Sequence, residues 1–240
     1  MDQPRALLFD VFGTVVDWRT SVAREVAPFL AEHAPGTDPA DFAHAWRRRY
    51  QPAMEAVRSG ARPFTRLDIL HRENLEAVLR DHGIDPAALA EPVLDHLNKA
   101  WHRLDPWPDS VEGLRRLKTR FIIAPLSNGN IALMLNVAKR AGLPWDAILG
   151  AEVARAYKPS PAAYLNTAEI LGLAPAECML VAAHNNDLAA ARRVGFRTAF
   201  VPRPREYGPH QDKDFGPDQD WDFVAADFPA LADALGCGPA

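Results

Sequence analysis

The chain has 240 residues, of which 48% are hydrophobic, and this length suits one large domain or a core domain that carries an insert. A formal net charge of -4 and a pI of about 6.1 give no basic excess, which argues against a nucleic-acid partner. Two distant cysteines, Cys178 and Cys237, form neither a disulfide framework nor a zinc ligand set. Because Asp10 and Gly13 interrupt the first apolar run, we expect no leader or membrane span and a cytoplasmic location.

The first predicted element is a buried strand. The apolar run from Ala6 to Phe9 is short and continuous and is followed by Asp10 and Gly13, as in a parallel strand that ends in a turn. From about Trp18 to Trp101, apolar residues recur at helical spacing with few strand-like runs between them. This block predicts a helical insert.

Strands and helices alternate through the rest of the chain. The predicted strands are Phe121–Leu126, Ile148–Leu149, Met179–Ala183 and Thr198–Val201. The predicted helices are Val111–Lys118, Ile131–Ala141, Pro161–Leu171 and Leu188–Val194, with a last short helix near Phe228–Leu235. Residues 201–221, rich in proline, glycine and charge, predict a loop. The alternation and the right-handed crossover rule favour a doubly wound, Rossmann-like α/β fold with a parallel sheet.

Four polar motifs follow the predicted strands, at the edge where such sheets place their active sites. They are DVFGT from Asp10, LSNGN at Ser127 and Asn128, YKP at Lys158, and HNND from His184 to Asp187. A carboxylate fixed at a strand end, such as Asp10, can attack an electrophile and form an ester. Each motif also has an ordinary alternative, namely a turn residue, a helix cap or a surface lysine.

Together and in this order, the four motifs resemble those of the haloacid dehalogenase superfamily over essentially the whole chain. The resemblance implies an α/β core formed by residues 1–16 and 103–240. It also implies that the helical insert, residues 17–102, is a cap domain.

The details of the motifs bear on which reaction of the superfamily to expect. Its phosphatases carry a second aspartate two residues after the nucleophile and acidic residues in the fourth motif that hold magnesium. Here Phe12 stands at the first of these positions, and the neutral Asn185 and Asn186 precede Asp187. Phe12 cannot act as a general acid, and this ligand set is poor in carboxylates, so we predict no essential metal and no cofactor.

A halide leaving group needs no proton, so the apolar Phe12 is tolerable in dehalogenation. On this ground and from the DVFGT motif, the chain resembles the L-2-haloacid dehalogenases of type II. In that family the aspartate displaces halide from the carbon next to the substrate carboxylate, and water then hydrolyses the enzyme ester to an inverted 2-hydroxy acid. The expected partners are a small 2-haloacid, the halide ion and a second copy of the chain in a homodimer.

The resemblance also implies a role for each residue. Asp10 is the nucleophile, Thr14 holds its loop, and Lys158 pairs with Asp10 and keeps the carboxylate ionised. Arg47, within HAWRRRYQ, and Asn128 face the halide. Ser127 binds the substrate carboxylate, Asp187 orients Lys158 or the water, and the substrate contacts are Phe12, Phe64, Tyr164 and Asn186. Two alternatives stay open, because Arg47 lies in a charge run typical of a solvated helix face and Phe64 suits packing within the cap.

The fourth motif departs from the common type II pattern. Ala182, His184 and Asn186 stand where that pattern has serine, asparagine and tryptophan. His184 can donate to a halide or assist the water step, or it can make a purely structural hydrogen bond. A histidine donor suits a small, strongly hydrogen-bonding halide, so we hypothesise activity on haloacetates, including fluoroacetate.

Two other functions are compatible with the sequence. One is a small-molecule phosphatase of the same fold, which would show magnesium-dependent turnover that EDTA abolishes. The other is a binding or oligomerisation module with a decayed site, although the intact Asp10, Lys158 and Asp187 argue against decay.

Overall fold

A five-stranded parallel sheet lies at the centre of the protein, whose computed structural model describes residues 3–238. The outermost residues of the predicted core segments, 1–2 and 239–240, lie outside this range. In chain order the strands are β1 (Ala6–Phe9), β2 (Val16–Asp17), β3 (Asp105–Pro106), β4 (Ile122–Pro125), β5 (Cys178–Ala182), β6 (Arg197–Phe200) and β7 (Phe223–Val224). The sheet order is β4-β1-β5-β6-β7, and every neighbouring pair is parallel. The predicted α/β fold is confirmed.

Helices fill the connections between these strands. They are α1 (Trp18–His33), α2 (Pro39–Arg48), α3 (Tyr50–Arg58), α4 (Leu67–Asp81), α5 (Glu91–Asn98), α6 (Ser110–Lys118), α7 (Ile131–Ala141), α8 (Ala151–Ala154), α9 (Pro161–Ile170), α10 (Asn185–Arg193) and α11 (Phe228–Ala234). Short 3₁₀ turns lie at Pro86–Ala88, Lys99–His102, Pro175–Glu177 and Gly208–His210. Within residues 3–238, no helix combines the length and the apolar character needed to cross a membrane.

Strand β1 shows why the sheet is covered on both faces. Its side chains point alternately to the two faces, and all four residues are fully buried. Leu7 and Phe9 join a hydrophobic cluster with α6, α7 and α11, whereas Ala6 and Leu8 join one with α9 and α10. Since both faces are apolar and covered, polar side chains gather beyond the strand ends.

The helices α1 to α5 form a block between β2 and β3. These two short strands pair antiparallel, with Val16 opposite Pro106, so the chain enters and leaves the block at neighbouring points. Trp18 and Trp101, near its two ends, stack with ring centroids 5.9 Å apart, and Trp101 packs edge-on against Phe12 at 5.8 Å. We propose that this block, residues 17–102, is the cap domain that covers the carboxyl end of β1.

The observed elements correct the sequence prediction in three places. Ile148–Leu149 is not a strand, because the backbone hydrogen bonds on either side of it, from Asp146 to Ile123 in β4 and from Ala151 to Ser127 beyond β4, do not continue into a ladder. Helix α10 begins at Asn185, three residues before the predicted start, so the HNND motif is its first turn. The sequence prediction lacks the edge strand β7, because two residues are too few to show the alternation of apolar and polar side chains that marks a strand.

The contact between α6 and α11 generates a stability prediction. A Cβ atom at Gly113 would lie 2.3 Å from the Phe228 side chain and 2.7 Å from its backbone. Replacing a helical glycine by alanine usually stabilises by about 1 kcal/mol, but this overlap reverses the sign. We expect Gly113→Ala to lower the free energy of unfolding by about 1–3 kcal/mol in urea titrations. Gly216→Ala, with open space around the new methyl group, is the control and should be neutral.

Candidate active site

Asp10 follows β1 directly and continues its hydrogen bonding. Its backbone N–H donates to the Val181 carbonyl at 3.1 Å, which fixes the residue between two central strands. The Thr14 hydroxyl donates to Asp10 Oδ2 at 2.7 Å and accepts the Ala183 N–H at 2.9 Å. The turn between them places Gly13 at a φ of 90°, a conformation that favours glycine. The DVFGT motif therefore delivers a buried carboxylate in a fixed orientation.

Lys158 forms a buried ion cluster with two carboxylates. Its Nζ lies 3.0 Å from Asp10 Oδ1 and also donates to Asp187 Oδ2. The other oxygen of Asp187 accepts the Tyr164 hydroxyl at 2.5 Å. Burial favours the neutral amine, but the two carboxylates outweigh it and raise the pKa of Lys158 above its ordinary value. The site therefore holds a permanent ammonium ion beside Asp10.

The His184 ring lies between two buried carboxylates. Its Nδ1 is 2.9 Å from Asp10 Oδ2, and its Nε2 is 2.7 Å from Glu206 Oε2. Carboxylates only accept hydrogen bonds, so both ring nitrogens must carry protons to satisfy this geometry. Burial lowers the pKa of His184, but Glu206 and Asp10 outweigh it and hold the pKa well above its ordinary value.

The same contacts determine the charge of Asp10. Burial by itself would raise the pKa of Asp10, because it penalises the charged form. Lys158, His184 and Thr14 oppose burial and hold that pKa well below its ordinary value. Asp10 is therefore a carboxylate across the physiological pH range, which is the form that can act as a nucleophile.

Arg47 reaches the site from helix α2 through a box of aromatic rings. Its guanidinium carbon lies 4.1 Å from the Tyr50 ring centroid, 5.3 Å from that of Trp18 and 5.8 Å from that of Phe12. Its Nη1 is buried and finds no hydrogen-bond partner among residues 3–238. A buried cation with a free N–H donor attracts an anion.

These groups enclose one cavity of about 100 Å³. It is lined by Asp10, Phe12, Arg47, Tyr50, Gln51, Asn128, Lys158, Pro159, His184, Asn186, Asp187, Tyr207 and Lys213. Eight of the residues selected from the sequence are therefore brought together: Asp10, Phe12, Arg47, Asn128, Lys158, His184, Asn186 and Asp187. A cavity of this volume accommodates a small molecule, such as an acid of two or three carbons.

Four selected residues do not line this cavity. Thr14 is fully buried behind Asp10, as a loop-holding role requires. Tyr164 donates its hydroxyl to Asp187 behind the site, so the structure favours a supporting role over substrate contact. Phe64 stacks on Tyr157 at 5.3 Å and lies under Arg155, which corresponds to the packing alternative. Ser127 is buried and its Oγ accepts the Gly129 N–H at 3.2 Å, and its contact with a substrate carboxylate stays a prediction.

The structure adds residues that sequence reasoning missed. Tyr50 and Gln51 belong to the HAWRRRYQ stretch, from which only Arg47 was selected, so a signal for them existed. Glu206, Tyr207 and Lys213 lie in the loop of residues 201–221, whose composition carries no periodicity that points to a site. The loop thus supplies both a wall of the cavity and the partner of His184.

Known proteins are similar to this chain in sequence and in fold. A family model described as haloacid dehalogenase-like hydrolase matches residues 4–195. The chain is 30% identical over 213 residues to (S)-2-haloacid dehalogenase 4A of Burkholderia cepacia, covering 86% of this chain and 88% of the relative. It is 32% identical over 185 residues to hexitol phosphatase A of Escherichia coli (strain K12), covering 74% and 73%. The crystal structure of the defluorinating L-2-haloacid dehalogenase Rha0230 is 56% identical, with a TM-score of 0.95 over 97% of this chain and 95% of that one.

The double contact of His184 generates a pH prediction. The raised pKa of the folded state means that His184 stabilises the fold fully below its unfolded pKa, near 6.5, and loses this effect as the pH rises through its folded pKa. We therefore expect the difference in free energy of unfolding between the native protein and His184→Asn to decrease from pH 6 to pH 9. The slope is at most about 1.4 kcal/mol per pH unit for one proton. Urea titrations at several pH values measure it, and a constant difference would contradict the prediction.

Proposed function

We propose that this chain, which belongs to the haloacid dehalogenase-like hydrolases, hydrolyses the carbon–halogen bond of small 2-haloacids. The family predicted from the sequence motifs is confirmed, and its (S)-2-haloacid dehalogenases are the branch that the chain resembles. A single arrangement carries the proposal. The ionised Asp10 and the guanidinium of Arg47, whose Nη1 has no hydrogen-bond partner within residues 3–238, face the same small cavity, one as nucleophile and the other as anion site.

The first step is attack by Asp10 on the carbon that bears the halogen. Asp10 Oδ2 accepts hydrogen bonds from Thr14 and His184, whereas Oδ1 faces only Lys158. Oδ1, with fewer donors, is the better nucleophile, and its attack forms an ester and releases halide. Arg47 and Asn128 face the departing anion, and no acid is needed at Phe12 because halide leaves unprotonated.

The second step is hydrolysis of that ester. Water attacks the carbonyl carbon of Asp10, and Oδ2 becomes the oxygen on which negative charge develops. Thr14 already donates to this atom at 2.7 Å and stabilises that charge. Lys158 stays paired with Asp187 through both steps and so remains in position to receive the regenerated carboxylate.

A phosphatase activity is the second candidate, because a hexitol phosphatase is among the relatives. The residues present fit that chemistry poorly. The Lys158 ammonium fills the space between Asp10 and Asp187, where magnesium would need oxygen ligands. Asn185 is turned away to Asp214 and Trp221, and the His, Cys, Asp and Glu residues between positions 3 and 238 form no metal-binding group of three.

Homodimer assembly and a cytoplasmic location stay predictions.

The proposed reaction predicts halide release from chloroacetate and 2-chloropropionate in EDTA. Asp10→Asn should abolish it, because an amide cannot form the ester. In a single turnover in ¹⁸O-labelled water, the product hydroxyl should be unlabelled and the label should enter Asp10, which mass spectrometry of the digested protein detects. Label in the product would indicate direct attack by water. Turnover of phosphate esters with magnesium, and of no haloacid, would favour the phosphatase.

Fluoroacetate is the further substrate that we propose. Fluoride is a poor leaving group that gains from nearby positive charge, and His184 lines the cavity as a protonated ring whose two N–H groups are held by Asp10 and Glu206. The similarity of this chain to a defluorinating L-2-haloacid dehalogenase of known structure supports the same proposal.

This hypothesis predicts that His184→Asn slows first-turnover fluoride release from fluoroacetate more than first-turnover chloride release from chloroacetate. Both substrates form the same ester on Asp10, so a selective loss of fluoride release must arise in the first step. Rapid-quench measurement of both halides tests this. Chloroacetate turnover by the native protein without any fluoride release from fluoroacetate would reject the hypothesis.

A further inference from the structure

Glu206 is a buried carboxylate that the proposed reaction has not used. It is 2% exposed, although its neighbours along the chain belong to a surface loop. Its Oε2 lies 2.7 Å from His184 Nε2, and its Oε1 accepts the Trp18 indole N–H at 2.9 Å. Both carboxylate oxygens are thus engaged, one by the catalytic core and one by the proposed cap.

The nucleophile motif leaves room for this side chain. A Cβ atom at Gly13 would lie 2.1 Å from Glu206 Oε1 and 2.2 Å from its carboxyl carbon. Any side chain larger than hydrogen at Gly13 would therefore displace Glu206 from His184. Burying a carboxylate is costly unless it is paired, and here its partner is the doubly protonated ring of His184.

Hydrolysis of an ester on Asp10 needs a base. The groups around Asp10 differ in whether they are free to accept a proton from water. Asp10 itself is esterified at that stage. Asp187 has one oxygen on Lys158 and the other on the Tyr164 hydroxyl. His184 Nδ1, by contrast, lies 2.9 Å from Asp10 Oδ2, next to the carbonyl group that water must attack.

We infer that Glu206 is a positioning residue that makes His184 the general base for hydrolysis of the Asp10 ester. The inference rests on the proposed dehalogenase function and deepens its second step. Glu206 holds the proton on Nε2, which leaves Nδ1 as the nitrogen that exchanges protons with water. The arrangement follows the general logic in which a carboxylate orients a histidine base.

The protons balance over the cycle. Attack by Asp10 removes one of the two negative charges beside His184, so the ring releases its Nδ1 proton to solvent. Water then adds its oxygen to the ester carbonyl carbon and gives one proton to Nδ1. The acyl C–O bond breaks, and the leaving alkoxide takes the remaining proton of the new acid. The products are the 2-hydroxy acid, the Asp10 carboxylate and protonated His184, with one proton and one halide released in total.

Glu206→Gln tests this inference with chloroacetate as the substrate. The amide donates to Nε2, which fixes the remaining ring proton on Nδ1 and removes the base. The first turnover should release chloride normally, whereas later turnovers should slow by about 10²- to 10⁴-fold, the usual contribution of a general base. Intact-protein mass spectrometry should then show one carboxymethyl group per chain, located on Asp10.

Glu25→Gln is the matched control, since Glu25 is a half-buried glutamate paired with Arg103 outside the cavity. It should turn over like the native protein and trap no ester. If Glu206→Gln does not fold, His184→Asn must trap the same ester, because it removes the base itself. Unchanged later turnovers, or slowing of the first chloride release alone, would overturn the inference. No chloride release by the native protein would instead overturn the proposed function.

Discussion

A buried carboxylate stays ionised only where cations and donors face it, and this requirement at Asp10 determines the surroundings of the site. Lys158 and His184 supply the positive charges, and each is itself held by a second carboxylate, Asp187 or Glu206. Negative and positive side chains therefore alternate through this cluster, and each one is paired with a group of opposite charge. Such a network keeps Asp10 ionised although the carboxylate is largely buried.

The helical block completes the site by adding what the sheet cannot supply. A sheet edge offers short polar side chains at strand ends, but the long Arg47 and the rings of Trp18 and Tyr50 come from α1, α2 and α3. These rings exclude water and lower the local dielectric, which strengthens the attraction between the guanidinium and an anion. Side chains from the sheet and from the helical block thus line one cavity.

Much of the fold could be read from local patterns. Strands β1, β4 and β5 are continuous apolar runs, and α7 and α9 have apolar residues at helical spacing, so each was predicted within a few residues. The failures have a common cause. Ile148–Leu149 has strand-forming residues but forms no ladder with the neighbouring edge strand β4, and β7 gains its place only through β6. Pairing between distant segments decides such short elements, and local sequence does not record it.

The site, like the fold, has features that local sequence predicts and features that depend on contacts between distant segments. The sequence by itself determined the family, the place of Asp10 at a strand end and most of the residues that line the cavity, because these residues stand in short motifs where the fold has little freedom. The tertiary structure alone decided that Glu206 faces His184, that Tyr164 supports Asp187 and that Phe64 packs away from the cavity. These contacts join loops and helices far apart in the chain. Their partners are selected by packing and by the need to pair buried charge, and neither leaves a periodic signal in the sequence.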